Sequence, residues 1–319
     1  MSAGNHYIMI RQRIYHCSRR CDDFVIWILL SVLFILFLII GFALSSFSMH
    51  IRKQSLEEAY NWQKAHYDVS WFDALEKEVS VFTSYDGYTL HTLMLRNPIP
   101  SDRYVLISHG YTDNHLGSLK YTKMYLDAGF NVLLYDLRGH GQNADTFCTY
   151  SIRESKDLAA LIADFRRHYG PDVTLGIHGE SLGAASSIAC LKDHPKIQFV
   201  VADCAFSEIL SVMKNGLRKM HIPTWFVYIA SLCTKIRYGV SYQEMRPIDS
   251  LKGSAVPILF IHGEKDDFIP SEHSRRMHEA VSATSELHII PNAGHAASVL
   301  TAPDTYREVL YAFLNHTLN

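Results

Sequence analysis

The order of apolar and polar positions divides the chain into three regimes. Residues 1–23 are polar and basic, with Arg11, Arg13, Arg19 and Arg20 set against Asp22 and Asp23. Phe24 to Leu44 then runs 21 residues without a charge, enough to cross a hydrocarbon core of about 30 Å at about 1.5 Å per residue. Mixed sequence follows. Ser55 to Tyr67 carries Leu56, Ala59, Tyr60 and Gln63 on one face, the mark of a short amphipathic helix.

From residue 76 onward, short apolar runs alternate with helical periodicities. Lys77–Tyr85 and Tyr88–Leu95 predict two strands joined by a hairpin turn at Asp86-Gly87. Further strands are predicted at Tyr104–Ser108, Phe130–Asp136, Val173–His178, Ile197–Ala202, Val256–His262 and Leu287–Ile290. Helices are predicted at Leu116–Ala128, Ile152–Tyr169, Leu182–Leu191, Ser271–Val281 and Thr305–Leu314. This alternation predicts an α/β fold with a mostly parallel central sheet flanked by helices, whose ligands bind at the C-terminal strand ends. Phe206 to Pro247 interrupts it and is too long for one helix. Its apolar stretch Ile222–Leu232 contains Pro223 and is too short to span a bilayer, so about 206–247 reads as a small helical lid. Trp225, Phe226 and Tyr228 either meet an apolar acyl group or the membrane surface, or pack inward as lid core.

The expected organisation is a tail over 1–23, a transmembrane anchor over 24–44, a juxtamembrane helical linker over 45–75 and a catalytic-type domain over 76–319. A cleaved signal peptide is the competing reading, but its apolar region would be about 7–15 residues, and no clear A-x-A site follows. Four arginines precede the apolar run, whereas Arg52 and Lys53 beyond it are balanced by Glu57 and Glu58. That asymmetry predicts a cytoplasmic N-terminus and an extracytoplasmic domain at the cell membrane. Cys17 and Cys21, just before the run, could carry lipid in a eukaryotic host, but unmodified thiols are the plainer reading.

Composition removes several function classes. Lys and Arg number 30 against 32 Asp and Glu, with no basic block, which argues against a nucleic-acid partner. The six cysteines show no C-x-x-C spacing and form neither a disulfide framework nor a zinc site. Cys190 and Cys204 fall in or beside core elements and read as buried thiols. No cofactor or metal is implied.

The chemistry concentrates on Gly179-Glu180-Ser181-Leu182-Gly183, a G-x-S-x-G pattern between an apolar strand and a helix rich in small residues. A strained strand-to-helix turn of this kind presents its serine at the tip, beside the helix N-terminus. A serine needs a base, and the base an orienting carboxylate. His295, in the loop after the last strand, is the candidate base and Asp266, in the loop after the preceding one, the candidate acid; Asp267 and Asp203 remain open as alternatives. Two backbone donors should face the developing oxyanion. Leu182 follows the nucleophile, and Tyr111 stands in the loop after the Tyr104–Ser108 strand, where His109 reads as a shape-holding residue.

The segments HGYTDN, DLRGHGQN, GESLG, HGEKDDFIP and NAGHAAS occur in this order over roughly residues 78–317. Together they resemble the α/β-hydrolase superfamily, most closely membrane-anchored or secreted bacterial serine hydrolases related to carboxylesterases and to prolyl-oligopeptidase-like hydrolases. The resemblance implies Ser181 as nucleophile, Asp266 as acid, His295 as base, and Tyr111 and Leu182 as oxyanion donors. It implies a structural role for Asp136 to Gly141 at the site rim, although Gln142-Asn143 stands where a small serine often follows. The expected function is ester hydrolysis on a small-molecule acyl ester through an acyl-enzyme. Peptide or amide cleavage, and thioester or acyl transfer, are alternatives, with a non-enzymatic tethered binding module behind them.

Overall fold

The computed structural model describes residues 3–281 and 284–318, with side chains from Asp23 onward; Cys17, Cys21 and the four N-terminal arginines lie outside the described side chains. The helices are α1 (Ala3–Met49), α2 (Leu56–His66), α3 (Ser70–Ala74), α4 (Leu119–Asp127), α5 (Ile152–Tyr169), α6 (Leu182–Cys190), α7 (Ile209–Lys219), α8 (Phe226–Tyr238), α9 (Glu272–Ala280), α10 (Ser298–Thr301) and α11 (Pro303–Leu318). The strands are β1 (Lys77–Thr83), β2 (Thr89–Leu95), β3 (Arg103–Ser108), β4 (Asn131–Tyr135), β5 (Thr174–Glu180), β6 (Phe199–Asp203), β7 (Ile258–Gly263) and β8 (Ser285–Ile290). They form one eight-stranded sheet in the order β1-β2-β4-β3-β5-β6-β7-β8. β1 and β2 pair antiparallel, as do β2 and β4, and the remaining pairs are parallel.

Period-2 alternation gives each strand two buried faces. Tyr104 and Leu106 of β3 pack with Leu158 and Ile162 of α5 and Ile188 of α6. Val105 and Ile107 turn the other way, toward Leu119 and Tyr125 of α4 and Leu310 and Phe313 of α11. The sheet is therefore covered on both sides, as predicted. Two expected helices differ in extent. The one expected from Leu116 begins with a tight 3₁₀ turn, His115–Ser118, because Asn114 Oδ1 accepts the Leu116 N–H and Asp136 Oδ1 accepts the His115 N–H. α11 starts earlier than expected, at Pro303, where a missing N–H and a fixed φ suit the first turn.

The order of strands reverses at β3, so β4 lies on one side and β5 on the other. A crevice opens at such a switch point. α6 crosses its floor very closely: a Cβ on Gly183 would stand 2.1 Å from the Ser108 carbonyl oxygen, and one on Gly179 would stand 2.5 Å from Ala184 Cα.

The stretch Asp23–Met49 of α1 is long and apolar enough to cross a membrane and is mostly exposed. Its last turns are not. Gly41 lies against Ile229 and Cys233 of α8, Ser45 Oγ bonds Thr234 Oγ1 at 2.8 Å, and Ser48 bonds the Tyr242 hydroxyl. The Cys148 N–H donates to the Met49 carbonyl at 3.0 Å, and His50 bridges Phe147. The 45–75 segment also packs on the domain. α2 carries a reciprocal Ser55–Glu58 cap, and Gln63 Nε2 donates to the Gly117 carbonyl at 2.8 Å.

Gly183→Ala is expected to cost about 3 kcal/mol or more, since backbone rather than a movable side chain occupies the space. Gly216→Ala in α7, where nothing lies within 4 Å, is expected to gain up to about 1 kcal/mol. Thermal melting of the full chain in detergent checks both.

Candidate active site

β5 ends at Glu180 and α6 begins at Leu182, leaving Ser181 alone in the turn at φ 51°, ψ −109°. This backbone is unfavourable for a residue with a Cβ. It is held by the Ser181 N–H donating to the Asp203 carbonyl at 2.8 Å and by the Ala185 N–H donating to Ser181 O at 2.9 Å. The hydroxyl consequently projects into the crevice, and Oγ stands 3.0 Å from His295 Nε2.

His295 occupies the loop after β8. That loop is laced to the loop after β7: the Glu264 N–H donates to Ile290 O and the Lys265 N–H to Ala293 O, at 2.9 and 2.8 Å. Gly263 permits the close approach, because a Cβ there would meet the Ala293 oxygen at 2.4 Å. Asp266 Oδ2 lies 2.7 Å from His295 Nδ1, and Oδ1 accepts the N–H groups of Phe268 and Ile269 at 3.0 and 2.8 Å. With Nδ1–H donating to the carboxylate, Nε2 is left as the acceptor facing Ser181. Burial alone would push the Asp266 carboxyl up. Hydrogen bonds from His262 and His295, with the Ile269 N–H, overcome it and hold the group well below the usual range, so it stays charged.

The alternatives for the acid are placed elsewhere. Asp267 is exposed and pairs with Lys219 at 2.7 Å. Asp203 accepts from the Tyr121 hydroxyl at 3.0 Å, and its other oxygen has no partner among the described residues.

Tyr111 and Ser181 line the same cavity of about 490 Å³, also walled by Gln54, Trp62, Gln63, Thr112, Phe268 and Leu300. Leu182 opens α6, and its N–H is one of the orphan donors of a helix start. Gly110, next to Tyr111, brings that loop within van der Waals reach of Ser181: a Cβ on it would stand 3.8 Å from the serine Cβ. His109 holds this loop, since its Nδ1 bonds Gly110 O at 2.7 Å and its Nε2 accepts the Leu137 N–H at 2.9 Å. Burial lowers its pKa and keeps it neutral.

The Asp136–Gly141 loop is structural. Arg138 is fully buried and pairs with both Asp157 and Asp86. The Gln142-Asn143 departure serves the same loop: Asn143 Nδ2 donates to Asp136 O and Leu137 O, and its Oδ1 accepts the His91 N–H.

Trp225, Phe226 and Tyr228 are not at the cavity. Trp225 and Phe226 stack on each other at 4.0 Å and meet Phe37 of α1, while the Tyr228 hydroxyl accepts from Lys214. Contact with a substrate in the cavity is therefore corrected. Trp225 and Phe226 reach Phe37 because Gly41 of α1, lacking a Cβ, lets Ile229 and Cys233 of α8 approach closely, whereas Tyr228 faces outward beside Lys214.

The pattern did not reveal the charged cluster behind the serine. Lys120 is buried, pairs with Glu180, and sits beside Asp113 in the cavity wall. Burial, reinforced by Glu180, pushes the carboxyls of Asp113 and Asp203 up to about 6. Glu180 also accepts from the Tyr121 hydroxyl, which gives the variable position of G-x-S-x-G a structural partner set. Cys204, Asp266 and His295 come within 4.8 Å, but burial raises the Cys204 thiol far above its ordinary range and keeps it from acting as a thiolate ligand.

The sequence profile of the Prolyl oligopeptidase family matches residues 117–319. The uncharacterized protein YqkD of Bacillus subtilis (strain 168) is 31% identical over 283 residues, 87% of this chain and 92% of its own length. Esterase YjfP of Escherichia coli (strain K12) is 24% identical over 59% of this chain and 76% of its own length. Among solved structures, an esterase of Pyrococcus furiosus superposes with TM-score 0.66 at 21% identity, covering 85% of this chain and 99% of that one.

The buried Asp203 generates a pH prediction. Its folded pKa, pushed up to about 6, lies above the ordinary aspartate value, so the stability it lends is fully present below that ordinary value and is lost as pH rises through about 6. Asp203→Asn removes this loss: its melting temperature should fall less between pH 5 and pH 8 than that of the unmodified chain.

Proposed function

Because the chain belongs to the prolyl oligopeptidase family of α/β hydrolases, we propose that it is a membrane-anchored serine hydrolase cleaving carboxylic esters through an acyl-enzyme. The observation that carries this reading is the hydrogen-bonded series Ser181 Oγ, His295 and Asp266, at 3.0 and 2.7 Å, opening on a cavity large enough for a small ester. In this mechanism His295 Nε2 takes the Ser181 proton as Oγ attacks the ester carbonyl. Asp266 stabilises the imidazolium and keeps its orientation. The amides of Tyr111 and Leu182 receive the oxyanion. Collapse expels the alcohol, which takes the proton from Nε2–H, and leaves Ser181 acylated. Water, deprotonated by the same nitrogen, then releases the acid and restores the serine.

The remaining assignments belong to the same proposal. Residues 24–44 form a single-pass anchor, 1–23 a cytoplasmic tail, 45–75 a segment packed on the domain, and 76–319 an extracytoplasmic hydrolase domain with its lid at about 206–247. Support for esters over amides comes from the esterases among its relatives and structural neighbours. Amide cleavage uses the same acyl-enzyme and is the competing reading.

Ser181→Ala should abolish labelling of the full chain by a fluorophosphonate probe; a labelled variant would overturn the nucleophile. Asp266→Asn should lower kcat by roughly 10³–10⁴, whereas Asp267→Asn should leave it within about twofold, because that exposed pair is worth little. Assays with p-nitrophenyl esters of increasing chain length beside aminoacyl amides separate the two readings. Faster turnover of amides would displace the esterase assignment.

A further inference from the structure

We propose that α8, together with the turn before it, is a second membrane-embedded element that dips into one leaflet beside α1. This rests on the reading that α1 crosses a bilayer. Asp22 and Asp23 fix where the apolar run of α1 begins, and it ends near Leu44. Phe37 lies seven residues before that end, about 10 Å along the helix axis. Yet Phe37 is where the start of α8 docks, with ring centroids 5.7 Å from Trp225 and 6.1 Å from Phe226. The contacts then climb both helices together: Gly41 meets Ile229 and Cys233, Ser45 bonds Thr234, and Arg237 donates to Ser46. The two helices run parallel, so the beginning of α8 lies at the depth of hydrocarbon and its end at the level of polar groups.

The outward face of α8 fits that depth. Trp225, Tyr228, Leu232 and Ile236 follow helical spacing and are 47, 49, 56 and 64% exposed, continuing the exposed apolar surface of α1. Met220, in the preceding turn, is 59% exposed. Basic groups flank this face: Arg237 at its upper end beside Ser46, and Lys214, bonded to the Tyr228 hydroxyl, near its lower one. Residues 209–243 contain Lys214, Arg218, Lys219, Lys235 and Arg237 and no Asp or Glu; Lys219 and Lys235 pair with Asp267 and Glu244 outside the stretch, and the other three carry its positive charge. Basic residues beside Trp and Tyr suit an anionic leaflet surface. With 13 residues, α8 is too short to span, and it enters one leaflet only.

The test uses the full chain carrying Cys17→Ser and Cys21→Ser; the four other cysteines are buried. An environment-sensitive fluorophore is attached, one site at a time, at Met220→Cys, Leu232→Cys, Leu33→Cys in α1 and Asp172→Cys before β5, at the far end of the strands from the α7–α8 insertion. Each protein is reconstituted in phosphatidylcholine–phosphatidylglycerol vesicles, with and without nitroxide on the acyl chains. Retained fluorophosphonate labelling shows that each variant is folded. Positions 220 and 232 should lose about half of their emission, as position 33 does, and position 172 should lose none. Quenching at 33 but at neither 220 nor 232 overturns this inference and leaves the anchor standing. Positions 220 and 232 shielded from both lipid nitroxide and aqueous iodide would mean a second copy covers the face, which also overturns it. No quenching at 33 removes the anchor and the inference together.

Discussion

The sharp turn at Ser181 is the constraint on which the arrangement depends. A serine at φ 51° is costly by itself, and it persists because both flanks leave it no alternative. The Asp203 carbonyl holds its N–H, and α6 presses its glycine against the end of β3. Loosening either contact would let the chain relax to an ordinary strand end, and the hydroxyl would swing from His295. The fold's stability and the geometry of the hydroxyl are thus set by the same few atoms.

Around that turn the polar groups form two unlike layers. Toward the cavity, Ser181, His295 and Asp266 make one hydrogen-bonded series. Behind it, Lys120, Glu180, Asp203 and Tyr121 make a buried charged cluster with fewer partners than capacity, and Asp113 stands half-buried at its edge. The first layer keeps its carboxylate charged through specific hydrogen bonds. The second does the opposite, and burial drives two of its carboxyls toward the neutral form. Buried groups of this second kind set the local field more than they take part in bonding.

Most of the sheet was legible in the sequence because buried parallel strands write themselves as short apolar runs. The G-x-S-x-G turn, His295 and Asp266 were legible because they sit in loops directly after predicted strands. Three matters were not. Choosing among Asp203, Asp266 and Asp267 needed the backbone zipper between the loops after β7 and β8, which has no local pattern. Lys120 and Asp113 carry no local pattern of their own, since α2, which walls the same cavity, comes from a segment about fifty residues earlier. The aromatic residues of α8 look the same whether they face a substrate, a core or α1. Their placement follows from contacts of α8 with Phe37, Gly41 and Ser45 of α1, about 180 residues distant in the chain, and with Lys214 of α7.

The junction between α1 and the domain has a geometric consequence. Met49 is fully buried, its carbonyl is bonded by Cys148, and the Tyr150 hydroxyl donates to Ser48 O, so the helix enters the domain without a free swivel. A cavity mounted this way has a set altitude and heading relative to the helix axis. For a chain read as anchored, it samples a thin plane of space and not a hemisphere. Which bonds it meets would then be decided first by how high above the leaflet they ride, and only afterwards by what the cavity recognises.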